Sequence, residues 1–223
     1  MSLAGKVCVV TGSSRGIGRA CAEALSSQGA RLALCASQSE PVLPAGSEGY
    51  AARCDVSESR SVAAFLLETE QRLGPIELLV INAGVLERAP LQELTEGQWD
   101  HALDVNLKGA FLCARGVWAG MLARGRGRII AIGSISGTLG TAHASAYNAS
   151  KWGLTGFMKS IAEEGRAAGI FCATVLPGSV DTEMLKGTPY PAQMTAEEVA
   201  RVVTFLADEA PFAMTGSAVE VFG

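Results

Sequence analysis

The stretch Val7-Cys8-Val9-Val10-Thr11-Gly12-Ser13-Ser14-Arg15-Gly16-Ile17-Gly18 decides the architecture. Its first residues are apolar at every position, the pattern of a strand covered on both faces as parallel sheets require. The run empties into a glycine-rich turn, and a helical pattern follows over Gly18–Gln28. Glycines at such a turn let the backbone bend tightly and approach a pyrophosphate, whose charge sits at the helix N-terminus. The spacing is GxxxGxG rather than GxGxxG, and its force comes from its place between a first strand and a first helix.

The rest of the chain repeats this alternation. Further strand candidates are Arg31–Cys35, Tyr50–Cys54, Leu78–Ile81, Arg128–Ile132, Phe171–Leu176 and Ala218–Val221. Helical periodicity marks Ser57–Leu73, Glu96–Ala123, Tyr147–Ala168 and Ala196–Leu206. Ser57, followed by Glu58, reads as one N-cap, and Thr195 with Glu198 three residues on reads as a capping box. Between Ala36 and Gly49, Pro41, Pro44 and Gly46 restrict any crossover helix to a turn or two. Strand and helix in this order predict an α/β, doubly wound, mostly parallel seven-stranded sheet with helices on both faces, a single domain over residues 1–223.

Composition agrees. A chain of 223 residues that is 48% hydrophobic buries a core without staples. Its net charge of −4 and the lack of any Lys/Arg run argue against nucleic acid and anionic membrane as partners. No stretch reaches the ~18 apolar residues that a bilayer demands. The first residues carry no targeting pattern, so a soluble, cytoplasmic protein is expected. The six cysteines stand singly, without CxxC, and read as small buried hydrophobes in a reducing compartment; no metal site is expected.

The second strand ends Cys35-Ala36-Ser37-Gln38, where an NAD-binding chain of this kind would place a carboxylate on the ribose 2′-hydroxyl. Arg15 stands inside the glycine loop, where a guanidinium can pair bidentately with a 2′-phosphate, and Ser37 can add a hydroxyl. The combination favours NADP(H), with NAD(H) as the alternative.

Tyr147 and Lys151 are spaced i, i+4 and share one helix face. A phenol with a pKa of about 10 is a poor proton carrier at neutral pH unless a neighbouring ammonium stabilises its phenolate. Ser134 follows the fifth strand and Asn82-Ala83-Gly84 the fourth, at the carboxyl edge where open α/β sheets bind ligands. Asn106 interrupts a helix that would otherwise disfavour it.

Together these residues resemble the short-chain dehydrogenase/reductases over essentially the whole chain. The resemblance is carried by Thr11–Gly18 as TGxxxGxG, Asp55-Val56, Asn82-Ala83-Gly84, Asn106, Ser134, Tyr147xxxLys151 and Pro177-Gly178 followed by Thr182. It implies a hydride transfer between nicotinamide and a carbonyl or secondary alcohol. Tyr147 would exchange the proton, Ser134 would bind the carbonyl oxygen, and Lys151 would lower the Tyr147 pKa and hold the nicotinamide ribose. Asn106 would anchor a water joining Lys151 to solvent. The cofactor would lie on Gly12, Ser14, Arg15, Gly16, Ile17 and Gly18, with Ser37 by the ribose. Asp55 and Val56 would meet the adenine, and Asn82, Ala83 and Gly84 the adenosine ribose. Pro177, Gly178, Val180 and Thr182 would line the nicotinamide amide and pyrophosphate.

Ser14–Ala20 and Gly127–Ile130 read most like 3-oxoacyl-[acyl-carrier-protein] reductases, so the substrate expected is an acyl-chain or small-molecule carbonyl compound. Alternatives are a reductase of small ketones, quinones or sugars, or a silent nucleotide-binding scaffold, which would have shed Ser134, Tyr147 or Lys151. His143 reads as a loop histidine near Tyr147, and His101 as a surface or interface residue. A homo-oligomer, tetramer or dimer, is expected on the Glu96–Ala123 and Tyr147–Ala168 helices around Phe111, Trp118, Phe157 and Ile161.

Overall fold

The computed structural model describes residues 3–223. A strand β1 (Val7–Thr11) lies at the centre, and successive residues alternate between two cores because strand side chains alternate in direction. Val7 and Val9 join the core on one face; Cys8 and Val10 join the core on the other. The remaining strands are β2 (Arg31–Ala36), β3 (Gly49–Arg53), β4 (Ile76–Ile81), β5 (Gly127–Ile132), β6 (Ile170–Pro177) and β7 (Ala218–Val221). They form one seven-stranded sheet in the order β3-β2-β1-β4-β5-β6-β7. Every pairing is parallel.

Helices α1 (Gly16–Ser27), α2 (Ser59–Leu73), α3 (Glu96–Leu103), α4 (Gly109–Arg124), α5 (Ser145–Arg166) and α6 (Ala196–Asp208) cover the sheet. Cys21 and Leu25 of α1 meet Val199 and Val203 of α6 in one core. Phe65 of α2, Val117 of α4 and Leu154 of α5 build the other. No helix of the described residues is long and apolar enough to cross a membrane.

Three local expectations need correction. The Glu96–Ala123 helix is two helices joined by a π-helical turn, Asp104–Lys108. Buried Asn106 sits in that turn, its side chain bonded to both backbone groups of Val85 and to the Ser150 hydroxyl. Those bonds draw the backbone out of regular α-geometry, which is where single π-turns arise. Ser57 is not an N-cap either. Asp55 Oδ1 accepts from the Ser57 amide at 3.0 Å and hydroxyl at 2.7 Å, and Glu58 takes the cap position without a side-chain bond. The Thr195–Glu198 capping box forms as expected, and Thr95–Gln98 makes a second one that the sequence reading passed over. Finally, the oligomer candidates divide. Ile161 is buried and Trp118 and Phe157 are packed against the core, whereas Phe111 is 40% exposed; Trp152, which was not among the candidates, is 54% exposed.

The crossover from β2 to β3 is loop throughout. Gly49 admits it because a Cβ there would stand 2.4 Å from the Leu32 carbonyl oxygen.

Candidate active site

The carboxyl ends of β4, β5 and β6, with Ile17 in the first turn of α1, open into a cavity of ≈ 360 Å³. Ile17, Asn82, Gly84, Ser134, Tyr147, Lys151, Pro177, Gly178, Val180 and Thr182 all line it. Ten positions scattered from α1 to the segment after β6 thus converge on one space.

The glycine loop is held from behind. Asn82 Nδ2 donates to the carbonyls of Thr11 at 3.0 Å and Gly12 at 2.9 Å. Thr11 Oγ1 accepts from the amides of Asn82 at 3.0 Å and Ala83 at 3.1 Å. A Cβ on Gly18 would lie 2.4 Å from both the Gly12 oxygen and Asn82 Nδ2, so the loop closes only with glycine there. Gly12, with φ +64°, would drive a Cβ to 2.7 Å from Ala83 Cα. Arg15 takes the N-cap of α1 in extended geometry and makes no side-chain capping bond. The first-turn N–H groups of α1, beside Ser14 and Gly16, therefore remain for an anion. Gly84 leaves a cradle as well, one that a side chain would crowd: a Cβ on it would stand 3.2 Å from Asn106 Oδ1 and 3.7 Å from Lys151 Nζ. An uncapped helix start and a side-chain-free path to Lys151 fit a dinucleotide laid across the sheet edge.

The far end of that path is different in character. Asp55 is turned to Ser57, and its amide donates to Ser61 Oγ at 3.0 Å. Val56 is buried and faces Gly109, where a Cβ would lie 2.8 Å from Val56 Cγ2. Ser37 is exposed, and its carbonyl accepts from Arg53 Nε at 3.2 Å and Nη2 at 3.1 Å. Arg53 belongs to no sequence motif. Its one signal was register: the last residue of β3 pairs with Ala36 at the end of β2. Arg15 is exposed, and its charge reaches the Glu183 carboxyl, which Lys186 first and Arg15 last hold below the ordinary carboxylate range.

Tyr147 and Lys151 occupy the first turns of α5, with Lys151 Nζ 5.7 Å from the Tyr147 ring centroid. The ammonium donates to the Ile132 carbonyl at 2.9 Å and is buried. Burial pushes the Tyr147 phenol above its ordinary value, and a hydrogen bond with Ser134 works the other way. In the free chain desolvation, and not Lys151, governs the phenol, while Lys151 Nζ donates to Ile132. Ser134 Oγ accepts from the Ser136 amide at 3.1 Å, which leaves its proton to donate. Asn106 is buried and bonded at both ends of its side-chain amide. Its Oδ1 accepts from Val85 at 2.8 Å and its Nδ2 donates to Ser150 Oγ at 2.9 Å, so the side chain braces the loop after β4.

Neither histidine lines the cavity. His143 is exposed at φ +61°, its carbonyl accepting from the Ala89 amide at 2.9 Å. His101 Nδ1 lies 2.8 Å from Glu87 Oε1 on the surface.

Burial pushes the Lys151 ammonium down to about 8 from 10.5. Between those values the unfolded chain binds the proton that the folded chain has released, so this group's contribution to stability rises with pH across that window. Thiols Cys8, Cys21, Cys113 and Cys172, pushed up to about 12, act oppositely as pH passes 9. Comparison with Lys151→Met isolates the lysine. Urea unfolding at pH 7 and pH 9.5 is expected to show wild type gaining on Lys151→Met by about 1–3 kcal/mol. An unchanged difference between the two proteins would show that Lys151 is not held neutral-prone.

This geometry defines an oxidoreductase of the doubly wound class. The family model described as short chain dehydrogenase matches residues 6–191, and the chain belongs to that family. Acetoacetyl-CoA reductase of Shinella zoogloeoides is 38% identical over 235 residues, covering 98% of this chain and 97% of its own. The 3-oxoacyl-[acyl-carrier-protein] reductase FabG of Vibrio cholerae is 35% identical over 239 residues, covering 100% and 98%. Among solved structures, levodione reductase superposes with a TM-score of 0.92 at 26% identity, covering 98% of this chain and 96% of its own. The crystal structure of gox2181 gives 0.90 at 31% identity, covering 99% and 95%.

Proposed function

We propose that the chain is an NADP(H)-dependent reductase of carbonyl compounds, 3-oxoacyl thioesters among them. The observation that carries this reading is the meeting of Ser134, Tyr147 and Lys151 in the cavity that Ile17, Gly84 and Thr182 also line. The bound nicotinamide would supply the hydride; the protein supplies placement and the proton. Ser134 donates to the substrate carbonyl oxygen and fixes it beside the phenol. Tyr147 gives its proton to that oxygen as the alcohol forms, and takes it back in oxidation. A phenol raised by burial stays protonated at neutral pH, which suits reduction. Lys151, anchored on Ile132, presents its remaining protons toward the cradle beside Gly84, where a ribose hydroxyl can accept. Thr182 and Val180 close the groove over the first turn of α1, and the first-turn amides from Gly16 to Gly18 take the pyrophosphate.

Arg15 and Arg53 support NADP(H) over NAD(H). Among the described residues neither has a carboxylate salt-bridge partner, and Arg53 rests on Ser37 where a ribose 2′-substituent would be read. A silent scaffold is the poorer account, because it leaves the buried Lys151 and the bonded Ser134–Tyr147 pair without a use. Six free, buried thiols fit a reducing, cytoplasmic setting. The test is loss of NADPH absorbance with acetoacetyl-CoA, 3-oxoacyl thioesters, small ketones, quinones and sugars. No turnover with any class would overturn the reading.

We also propose a homo-oligomer, tetramer or dimer. Phe111 on α4 and Trp152 on α5 are exposed, with Trp99 of α3 at 38% and Leu122 at 43%. Apolar groups of this size left in water on adjoining helices mark an interface. Light scattering at micromolar protein is expected to return a multiple of 23.1 kDa. A monomer would refute the interface.

A further inference from the structure

The lining of the active-site cavity is unbalanced in charge. Lys151 and Arg88 line it, and no Asp or Glu does. Lys151 is committed to the Ile132 carbonyl. Arg88 is not committed to any acid. Its Nη2 donates to the Ala142 carbonyl at 3.2 Å, and among the described residues no carboxylate pairs with it. Glu87, its neighbour in sequence, is turned away to His101 at 2.8 Å.

Arg88 is also held in place. The amide of Ala89 donates to the His143 carbonyl at 2.9 Å, so two bonds tie the loop after β4 to the loop that leads into α5. Ala142 and His143, whose carbonyls take these bonds, stand five and four residues ahead of Tyr147 in the chain. One bond uses one of the five donors of a guanidinium and leaves the planar fork able to meet two oxygens of an anion. Leu86, Ile135, Leu139, Met184, Leu185 and Tyr190 give the rest of the outer lining an apolar character. A low-dielectric wall strengthens any charge pair formed beside it.

We infer that the cavity takes carbonyl compounds bearing an anionic group, a carboxylate or a phosphate, and that Arg88 is the residue that binds that group. The inference rests on the carbonyl-reductase reading for its substrate and on Arg88 alone for its charge selectivity. The anion can come from two sources, the substrate's own carboxylate or the phosphate of a thioester carrier arm.

The experiment compares matched pairs on the full chain with NADPH. One arm sets 4-oxopentanoate and longer oxo acids against their methyl esters. The second sets acetoacetyl-CoA against acetoacetyl-N-acetylcysteamine, which lacks phosphate. The wild type is expected to favour the anion of the relevant pair by about 10- to 100-fold in kcat/KM, expressed in KM. Arg88→Ala is expected to abolish that preference while the neutral partner loses less than about threefold, and Arg88→Lys, which keeps a point charge, to restore part of it. A preference confined to the first arm identifies a carboxylate; one confined to the second identifies the carrier phosphate. Equal losses for acid and ester in Arg88→Ala would make the arginine a loop staple and overturn the inference, as would a wild type indifferent to charge. Calorimetric titration with 4-oxopentanoate and its methyl ester reads the same preference without turnover. Binding of the acid through Arg88 by a chain that reduces nothing would sink the reductase reading and keep the anion site.

Discussion

Tyr147→Phe is expected to lower turnover by about 10²–10⁴-fold, the range that a positioned proton donor commands, while leaving NADPH affinity within about twofold of wild type. The reason is local. The ring is retained, so the packing of α5 against the cavity wall and the Lys151 ammonium 5.7 Å from its centroid are kept. Lys151 remains fixed through Ile132, not through the phenol, so loss of the hydroxyl does not release it. What disappears is the one group bonded to Ser134 that can deliver a proton to the carbonyl oxygen. Steady-state rates on the best substrate, with nucleotide fluorescence for affinity, separate the two effects. Turnover within about fivefold of wild type would remove Tyr147 from the proton's path, and a collapse of NADPH binding would make its role structural.

The second large effect concerns cofactor choice. NADPH is expected to outcompete NADH by at least about tenfold in kcat/KM, and the double variant Arg15→Ala/Arg53→Ala to erase the preference. Each guanidinium can form charge-assisted bonds to a 2′-phosphate, a group that carries close to two negative charges. At about 1.5–3 kcal/mol per bonded cation, the pair commands about 10²–10⁴-fold in NADPH affinity. Arg53 is the better placed because Ser37 already orients it, at 3.1 Å and 3.2 Å. Arg15 must swing from the field of Glu183. The single variants therefore rank, with Arg53→Ala the more damaging. Ala36→Asp is expected to repel the phosphate and recruit NADH. Dissociation constants for both nucleotides at one salt concentration decide the matter. A double variant that still prefers NADPH would place the phosphate elsewhere.

The sheet was legible because its strands are apolar on both faces and bounded by glycine, and the motifs were legible because their residues follow strand ends directly. The strand ends fell within about two residues of expectation, as β3 at Gly49–Arg53 against Tyr50–Cys54 illustrates. What failed to show had a tertiary cause. The π-turn at Asn106 exists because Val85 and Ser150, far off in sequence, bond its amide. Ser57 is no cap because the Asp55 carboxylate holds its amide and hydroxyl in the turn before the helix, and the cap position falls to Glu58. Arg53 and Arg88 carry no motif; each acquires meaning from a carbonyl across a loop, Ser37 or Ala142. The Tyr147–Lys151 spacing was plain, yet the direction of Lys151 Nζ, which decides its effect on the phenol, depends on the free carbonyl of Ile132.

The brace between Thr11, Gly12 and Asn82 has a kinetic consequence. Its bonds join residues 70 to 72 positions apart, and β1 pairs with β4 across the same interval. A parallel seam of such high contact order closes late, after the intervening chain has lost its freedom. Ser13 ties the loop to β2 over only 22 positions, through its amide on the Cys35 carbonyl at 3.1 Å, but the bonds that fix Gly12 await β4, so the chain completes its groove in the same step that completes its central seam. Ligation and opening of the seam are then linked. Any ligand of the groove slows opening of the seam by the factor 1 + [L]/Kd, and resistance to proteolysis becomes a direct measure of nucleotide occupancy.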